Sequence, residues 1–249
     1  CDIMNIKIYK YICYITFSGL LCSEAGAKVA DAEAQKLGAE LTPIGAEAAA
    51  SKDGTIPKWE GGLPQKEMKR TGEDPYGSDK PLYTVTAANL KQYEALLTEG
   101  YKNLFKTFPD YKMNVYPTRR SASYPPWFYD ATKKNATSVE TKNNGYGFCC
   151  TAQGYPFPIP KNGTEVMWNH IMRYNTKGFR GFLNAAATVA DGSYVVERSY
   201  LELSYVYNNV KTTVDSMKGM NLYAFTKIVS PPNKAGEAHL LHVPLDRIK

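Results

Sequence analysis

Residues 155–174, YPFPIPKNGTEVMWNHIMRY, restrict the fold more than any other stretch. Pro156, Pro158 and Pro160 alternate with Tyr155, Phe157 and Ile159. Each proline fixes its own φ and holds the residue before it in extended geometry, so the segment is predicted to be a stiff, helix-free strap. Asn162 then suits a helix N-cap, with Glu165 three residues on as its capping-box partner. The helix that follows carries Val166, Met167, Trp168, Ile171, Met172 and Tyr174, apolar nearly all round, which predicts burial on several sides. His170 among them reads as a half-buried, hydrogen-bonded histidine; a ligand or catalytic role is the alternative.

The chain changes character on either side of this strap. The start, from Met4, has Lys7 and Lys10, then an apolar run from Tyr11 to Cys22, then Ala25-Gly26-Ala27 before Lys28. A basic n-region, an apolar core too short to span a bilayer and an A-x-A site make a cleaved export signal. Residues 1–27 are therefore set apart as a signal peptide with a short upstream extension. Residues 28–160 read as a loop-rich, helical half. Residues 161–249 read as a helix followed by antiparallel strands, and 28–249 as one domain.

Cleavage would remove Cys1, Cys13 and Cys22 of the 5 cysteines, leaving the adjacent pair Cys149 and Cys150. They are either incidental thiols or a vicinal or intermolecular disulfide in an oxidising compartment. No second Cys or His pair lies near them in sequence, which argues against zinc.

In the first half, Val29 to Gly38 is predicted to be a short helix capped by Asp31, and Ala46 to Ala50 a further helical turn. Ser51 to Pro81 is long and irregular, with Trp59 beside Gly61 and Gly62 as an anchor onto the body. The glycines lack phosphate-loop spacing. Leu90, Tyr93, Leu97, Tyr101, Leu104 and Phe108 form an apolar stripe that predicts two helices, 86–97 and 98–108. Residues 111–129, YKMNVYPTRRSASYPPWFY, set Arg119 and Arg120 among aromatics, either as internal stacking and ion-pairing groups or as a cationic lip for an acidic head group. Asp130 to Gly147 is polar and reads as loop.

The second half shifts to period two. Ser193–Asn209, Gly219–Ser230 and Ala235–Pro244 alternate and are separated by Asn, Gly and Pro clusters, which predicts three meander strands. His239 and His242 fall on opposite faces of the last strand, against a shared metal site. The sequence ends just after that strand, which points to a longer gene product and an incomplete sheet over this length. The fold class is α+β.

Several stretches together, LGAELTPIGAEAAASKDGTIPKWEGGL, DKPLYTVTAANLKQY, YKMNVYPTRRSASYPPWFYDATKKNAT and GYPFPIPKNGTEVMWNHIMRY, resemble a bacterial family known as domain of unknown function 1329. The likeness covers most of 30–249, except that the Cys149–Cys150 pair departs from the pattern. It implies a Gram-negative, exported protein, longer than this chain. It also implies a curved antiparallel β-sheet with helices around an apolar cavity, a half barrel similar to the outer-membrane lipoprotein-sorting carriers (LolA- and LolB-like). It implies work beside an envelope export system and gives no catalytic residues.

The leading reading is thus a non-catalytic protein of the periplasm or outer-membrane periphery that binds an apolar or amphipathic small molecule or lipid. Arg119 and Arg120 would hold a polar head, and Trp168, Met172, Tyr205, Tyr207, Tyr223 and Phe225 would line the apolar part. No cofactor, metal or nucleic-acid partner is expected: a net charge of +6 is spread along the chain without a nucleic-acid motif. The alternative is an envelope assembly or transport-accessory factor that docks a partner by strand addition. A hydrolase ranks below both, because no G-x-S-x-G, H-E-x-x-H or paired Cys–His signature is present.

Overall fold

The computed structural model describes residues 28–64, 74–217 and 221–244. The predicted export signal, residues 1–27, lies outside them. In chain order the elements are α1 (Asp31–Ala34), β1 (Tyr83–Thr86), α2 (Leu90–Tyr93), α3 (Glu99–Thr107), β2 (Lys112–Val115), α4 (Pro126–Ser138), β3 (Thr141–Lys142), β4 (Gly147–Phe148), α5 (Gly163–Ile171), β5 (Gly178–Thr188), β6 (Tyr194–Ser204), β7 (Asn221–Ser230) and β8 (Ala238–Pro244). The protein is a mixed helix-and-sheet structure with antiparallel sheets, β1–β2, β3–β4 and the open meander β5-β6-β7-β8. Among the described residues the meander does not close into a barrel.

The organising helix is α4, which replaces part of the predicted 130–147 loop. Pro126 occupies its first turn, where a missing N–H costs nothing. Its buried face is Phe128, Thr132, Asn135 and Ala136, helical spacing made partly from polar residues. Those polar groups grip the backbone leading into the strap. The Thr132 hydroxyl accepts from Tyr155 N at 3.0 Å and donates to the Phe128 carbonyl at 2.8 Å. Asn135 Nδ2 donates to the carbonyls of Gln153 at 2.7 Å and Tyr155 at 3.0 Å. Gly154, at φ +74°, sits so close that a β-carbon there would lie 2.7 Å from Thr132 N.

The strap is helix-free, as predicted, with bends at Pro156, Pro158 and Ile159, and it docks on α5. Asn169 clamps it, accepting from Phe157 N at 2.9 Å and donating to Phe157 O at 2.6 Å. The start of α5 follows the sequence reading: Asn162 Oδ1 accepts from Glu165 N at 3.0 Å. Glu165, 4% exposed, reaches back to Lys161 N at 2.7 Å instead of the N-cap amide. Burial on several sides does not occur. Val166, Met167, Ile171 and His170 are exposed, while Trp168 and Met172 turn inward. A helix of nine residues beside one strap has only one face to bury.

The main core gathers Val139, Phe148, Phe157, Met172, Tyr207 and Met217, with Trp168 and Tyr205 packed against it. Trp168 Nε1 donates to Gly145 O at 2.8 Å. Gln153 Nε2 fastens the loop after β6 to this core by donating to the carbonyls of Asn209, Val210 and Thr212 at 2.8 to 3.0 Å. Cys149 and Cys150 form a vicinal disulfide beside it.

Other expectations are corrected. The first helix is a single turn with Asp31 inside it and no side-chain cap; Gly38 follows in the left-handed region. Residues 46–50 are not helical. The 86–97 helix gives way to β1, a turn and the short α2, because Asn89 accepts from Thr86 N at 2.7 Å and donates to Thr84 O at 3.0 Å. On α3 the buried residue is Phe105, off the apolar stripe, while Tyr101 and Phe108 are exposed. Four strands, not three, build the meander. β5 is the addition, and its GFRGFLNAAAT sequence hides the period.

Candidate functional site

The structure distributes the sequence-predicted ligand residues over three places. Met172 and Tyr207, 2% and 4% exposed, lie in the core with Trp168 and Tyr205. They support the structure there and do not line an open surface. Tyr205 and Tyr207 also fall beyond β6, the latter in a 3-10 turn over Val206–Asn208, so they are not sheet-face residues. Tyr207 donates to Ile171 O at 3.3 Å, and burial raises its phenol to about 12.

Tyr223 and Phe225 do lie on the sheet. Strand pairing places Phe182 opposite Tyr200, Glu202 opposite Phe225, Phe225 opposite Leu240 and Tyr223 opposite His242. With alternate residues on alternate faces, Phe182, Tyr200, Phe225 and Leu240 share one face and run diagonally across all four strands, because Tyr200 stands opposite Lys227 and Phe225 opposite Glu202. Ring centroids are 5.6 Å apart between Phe182 and Tyr200 and 6.4 Å between Tyr200 and Phe225. Phe182 and Leu240 are each 60% exposed. The same face carries Arg180, Arg198 and Lys227 against Glu202, and Arg198 sits 4.6 Å over the Phe182 ring. Tyr200 donates to Glu202 at 3.3 Å, and desolvation followed by that carboxylate raises its pKa.

The opposite face has its own apolar row, Phe179, Leu203, Ala224 and Leu241, paired directly across the strands. Near its far end Ser199 and Ile228 are buried, and Lys234 from the following turn pairs with Glu197 at 3.3 Å. The predicted opposition of the histidines holds: His239 shares this face with Thr226, and His242 lies on the other beside Tyr223. His170 is exposed, with Arg173 donating to its carbonyl at 2.8 Å.

Arg119 and Arg120 are elsewhere. They line a cavity of about 290 Å³ with Pro43, Ile44, Trp59, Ala122, Tyr124 and Tyr129. Arg119 makes a bidentate pair with Asp79 at 2.7 and 3.0 Å and lies 5.0 Å over the Tyr76 ring. Arg120 donates to the carbonyl of Glu47 at 2.7 Å, and more loosely to those of Ala48, Ala49 and Pro57. Trp59 anchors its loop as predicted, through Nε1 to Ala122 O at 3.3 Å. The other tyrosines of this region are structural: Tyr124 and Tyr155 share a hydroxyl contact at 3.2 Å and pack with Phe128 and Tyr174. Among the described residues no cluster of metal-ligating side chains gathers, and no helix is long and apolar enough to cross a membrane.

Residues 84–249 match the family described as protein of unknown function DUF1329. The chain belongs to that family. It is also 38% identical over 237 residues to the uncharacterised protein PA3922 of Pseudomonas aeruginosa, an alignment covering 92% of this chain and 52% of the relative. The chain thus spans about half the length of this curated DUF1329 relative. No solved structure matches it. Sequence reasoning named Phe225 but missed Phe182, Tyr200 and Leu240 beside it. The grouping becomes legible only with register, because its four members lie on four different strands.

Proposed function

We propose that this DUF1329 protein is an exported, non-catalytic envelope protein that binds an apolar or amphipathic, lipid-like ligand. It would act in the periplasm or at the outer-membrane periphery, beside an envelope export system. The observation that carries this reading is the diagonal Phe182–Tyr200–Phe225–Leu240 on one sheet face, exposed at Phe182 and Leu240 and half-buried between them, flanked by Arg180, Arg198 and Lys227. Contiguous exposed apolar surface marks an interaction site in a soluble protein. Rings accept acyl or ring surfaces, and flanking cations favour an acidic head. In this reading the meander is one wall of a half barrel of the lipoprotein-sorting kind, and the basic n-region and A-x-A site of residues 1–27 direct export.

Displacement of a fluorescent fatty acid by oleate tests it. The wild-type protein is expected to bind, and Phe182→Ser with Phe225→Ser to weaken binding by about tenfold or more, the loss of two buried ring contacts. No binding of fatty acid or phospholipid, or equal binding by the double variant, contradicts it. Among the described residues the outer edges of β5 and β8 pair with no further strand, which favours a second reading, an assembly or transport-accessory factor that recruits a partner strand. A stable complex with an envelope protein, in a preparation holding no small molecule, selects that reading.

A further inference from the structure

The 290 Å³ cavity beside Arg120 is separate from the sheet and is built before any ligand arrives. The segment after Trp59 is tied to residues 121–123, of which Ser121 and Ala122 line the cavity. Leu63 N donates to Ser121 O at 2.9 Å, and the Ser123 hydroxyl donates to Leu63 O at 2.6 Å. Gly62, at φ +77°, lies directly against the Ala122 carbonyl, where any β-carbon would collide. The indole bond from Trp59 to Ala122 fixes one wall. Pro43, Ile44, Ala46 and the rings of Tyr124 and Tyr129 line it as well, with the two arginines.

The electrostatics of the two arginines differ. The charge of Arg119 is balanced by Asp79. Arg120 meets only main-chain carbonyls, and no carboxylate lies within ion-pair distance of it among the described residues. Four carbonyls hold the guanidinium in position without cancelling its charge. Five N–H donors are present on such a group, so it retains hydrogen-bonding capacity. Tyr129 also lines the cavity. Its hydroxyl oxygen accepts from Tyr124 N at 2.8 Å, which leaves its proton to donate. Burial raises the Tyr129 pKa, so the phenol stays protonated at neutral pH.

We propose that this cavity binds a small carboxylic acid with an apolar body, its carboxylate held by Arg120 and Tyr129 and its body seated against Ile44 and Trp59. Size sets the class. Ligand sites run from about 300 to 1,000 Å³, so this cavity takes one ring or a short chain and not a two-chain lipid. Charge selects an acid: a guanidinium and a hydroxyl donor both favour a carboxylate. The apolar walls exclude a bare anion such as phosphate. The proposal does not rest on the sheet reading.

The test uses the full chain with 4-phenylbutyrate, 4-phenylbutyramide and inorganic phosphate as probes, followed by calorimetry and ligand-observed NMR. The acid is expected to bind about tenfold or more tighter than the isosteric amide, the value of one charge-assisted contact, with phosphate silent. Arg120→Met is expected to remove that preference. Because Arg120 also braces residues 47–57, two further variants keep the test decisive. Tyr129→Phe is expected to weaken the acid by about threefold or more, and Ala46→Phe to block both probes by filling the cavity. Equal binding of acid and amide, no binding of the acid to wild type, or undiminished binding by Ala46→Phe overturns the proposal. Fatty-acid displacement at the sheet is expected to be unchanged in Ala46→Phe, so failure at one site is distinguishable from failure at the other.

Discussion

Thr132 and Asn135 do what a hydrophobic residue on α4 could not: they bind the backbone of residues 153–155 that enters the strap. Asn135→Leu would keep the volume and leave the Tyr155 carbonyl short of a donor, while Gln153 O keeps the Thr151 hydroxyl at 2.8 Å. It is expected to cost about 1–3 kcal/mol, one acceptor at the usual penalty, read from urea unfolding. Gly154→Ala is expected to destabilise by about 1–3 kcal/mol in the same assay, since the left-handed φ and the Thr132 amide both oppose a β-carbon. Tyr207 adds a pH term. Its folded pKa is raised to about 12 from 10, so its contribution is complete below the unfolded pKa and is lost as pH rises through the folded one. Stability is expected to fall from about pH 10 upward, and Tyr207→Phe to flatten that fall. The same polar residues explain why α4 was hard to read. A search for apolar period finds Phe128 and Ala136 but passes over Thr132 and Asn135 between them. Asn162 and Glu165 were legible because capping chemistry is local to four residues.

At the scale of elements, the hydrophobic cores lie in the helical part, whereas the meander leaves most of its large apolar residues exposed or half-exposed. Phe105 on α3 is 1% exposed, whereas Phe182 on β5 is 60% exposed. Phe105→Ala is therefore expected to cost about 3–5 kcal/mol, and Phe182→Ser no more than about 1 kcal/mol, the loss of one cross-strand ring pair. Paired urea titrations of the two variants check the contrast. β7 and β8 were legible from alternation, and β6 from its apolar Val195, Leu201 and Leu203 positions. β5 was not, because Asn184-Ala185-Ala186-Ala187 carries no contrast between faces. β1 and β2 were missed for a different reason: four residues each, paired across an intervening pair of helices, leave no local signal.

Across the whole molecule, the aromatic content divides by purpose. Tyr124, Phe128, Tyr155 and Tyr174 pack as an interior cluster around the start of α4. Phe182, Tyr200 and Phe225 are laid out on an open sheet with three cations nearby. Composition counts 19 tyrosines and cannot separate the two groups, because burial of a ring depends on register and on what packs above it. That is why the candidate set of Arg119, Arg120, Trp168, Met172, Tyr205, Tyr207, Tyr223 and Phe225 resolves into a cavity, a core and a sheet face. The central proposal is that the sheet face carries a lipid-like ligand in the cell envelope. Native mass spectrometry of the protein isolated from its own cells tests it most directly. The account predicts a reproducible added mass that organic extraction removes and that Phe182→Ser with Phe225→Ser diminishes. A clean protein mass, with no uptake of fatty acid or phospholipid offered afterwards, would contradict it.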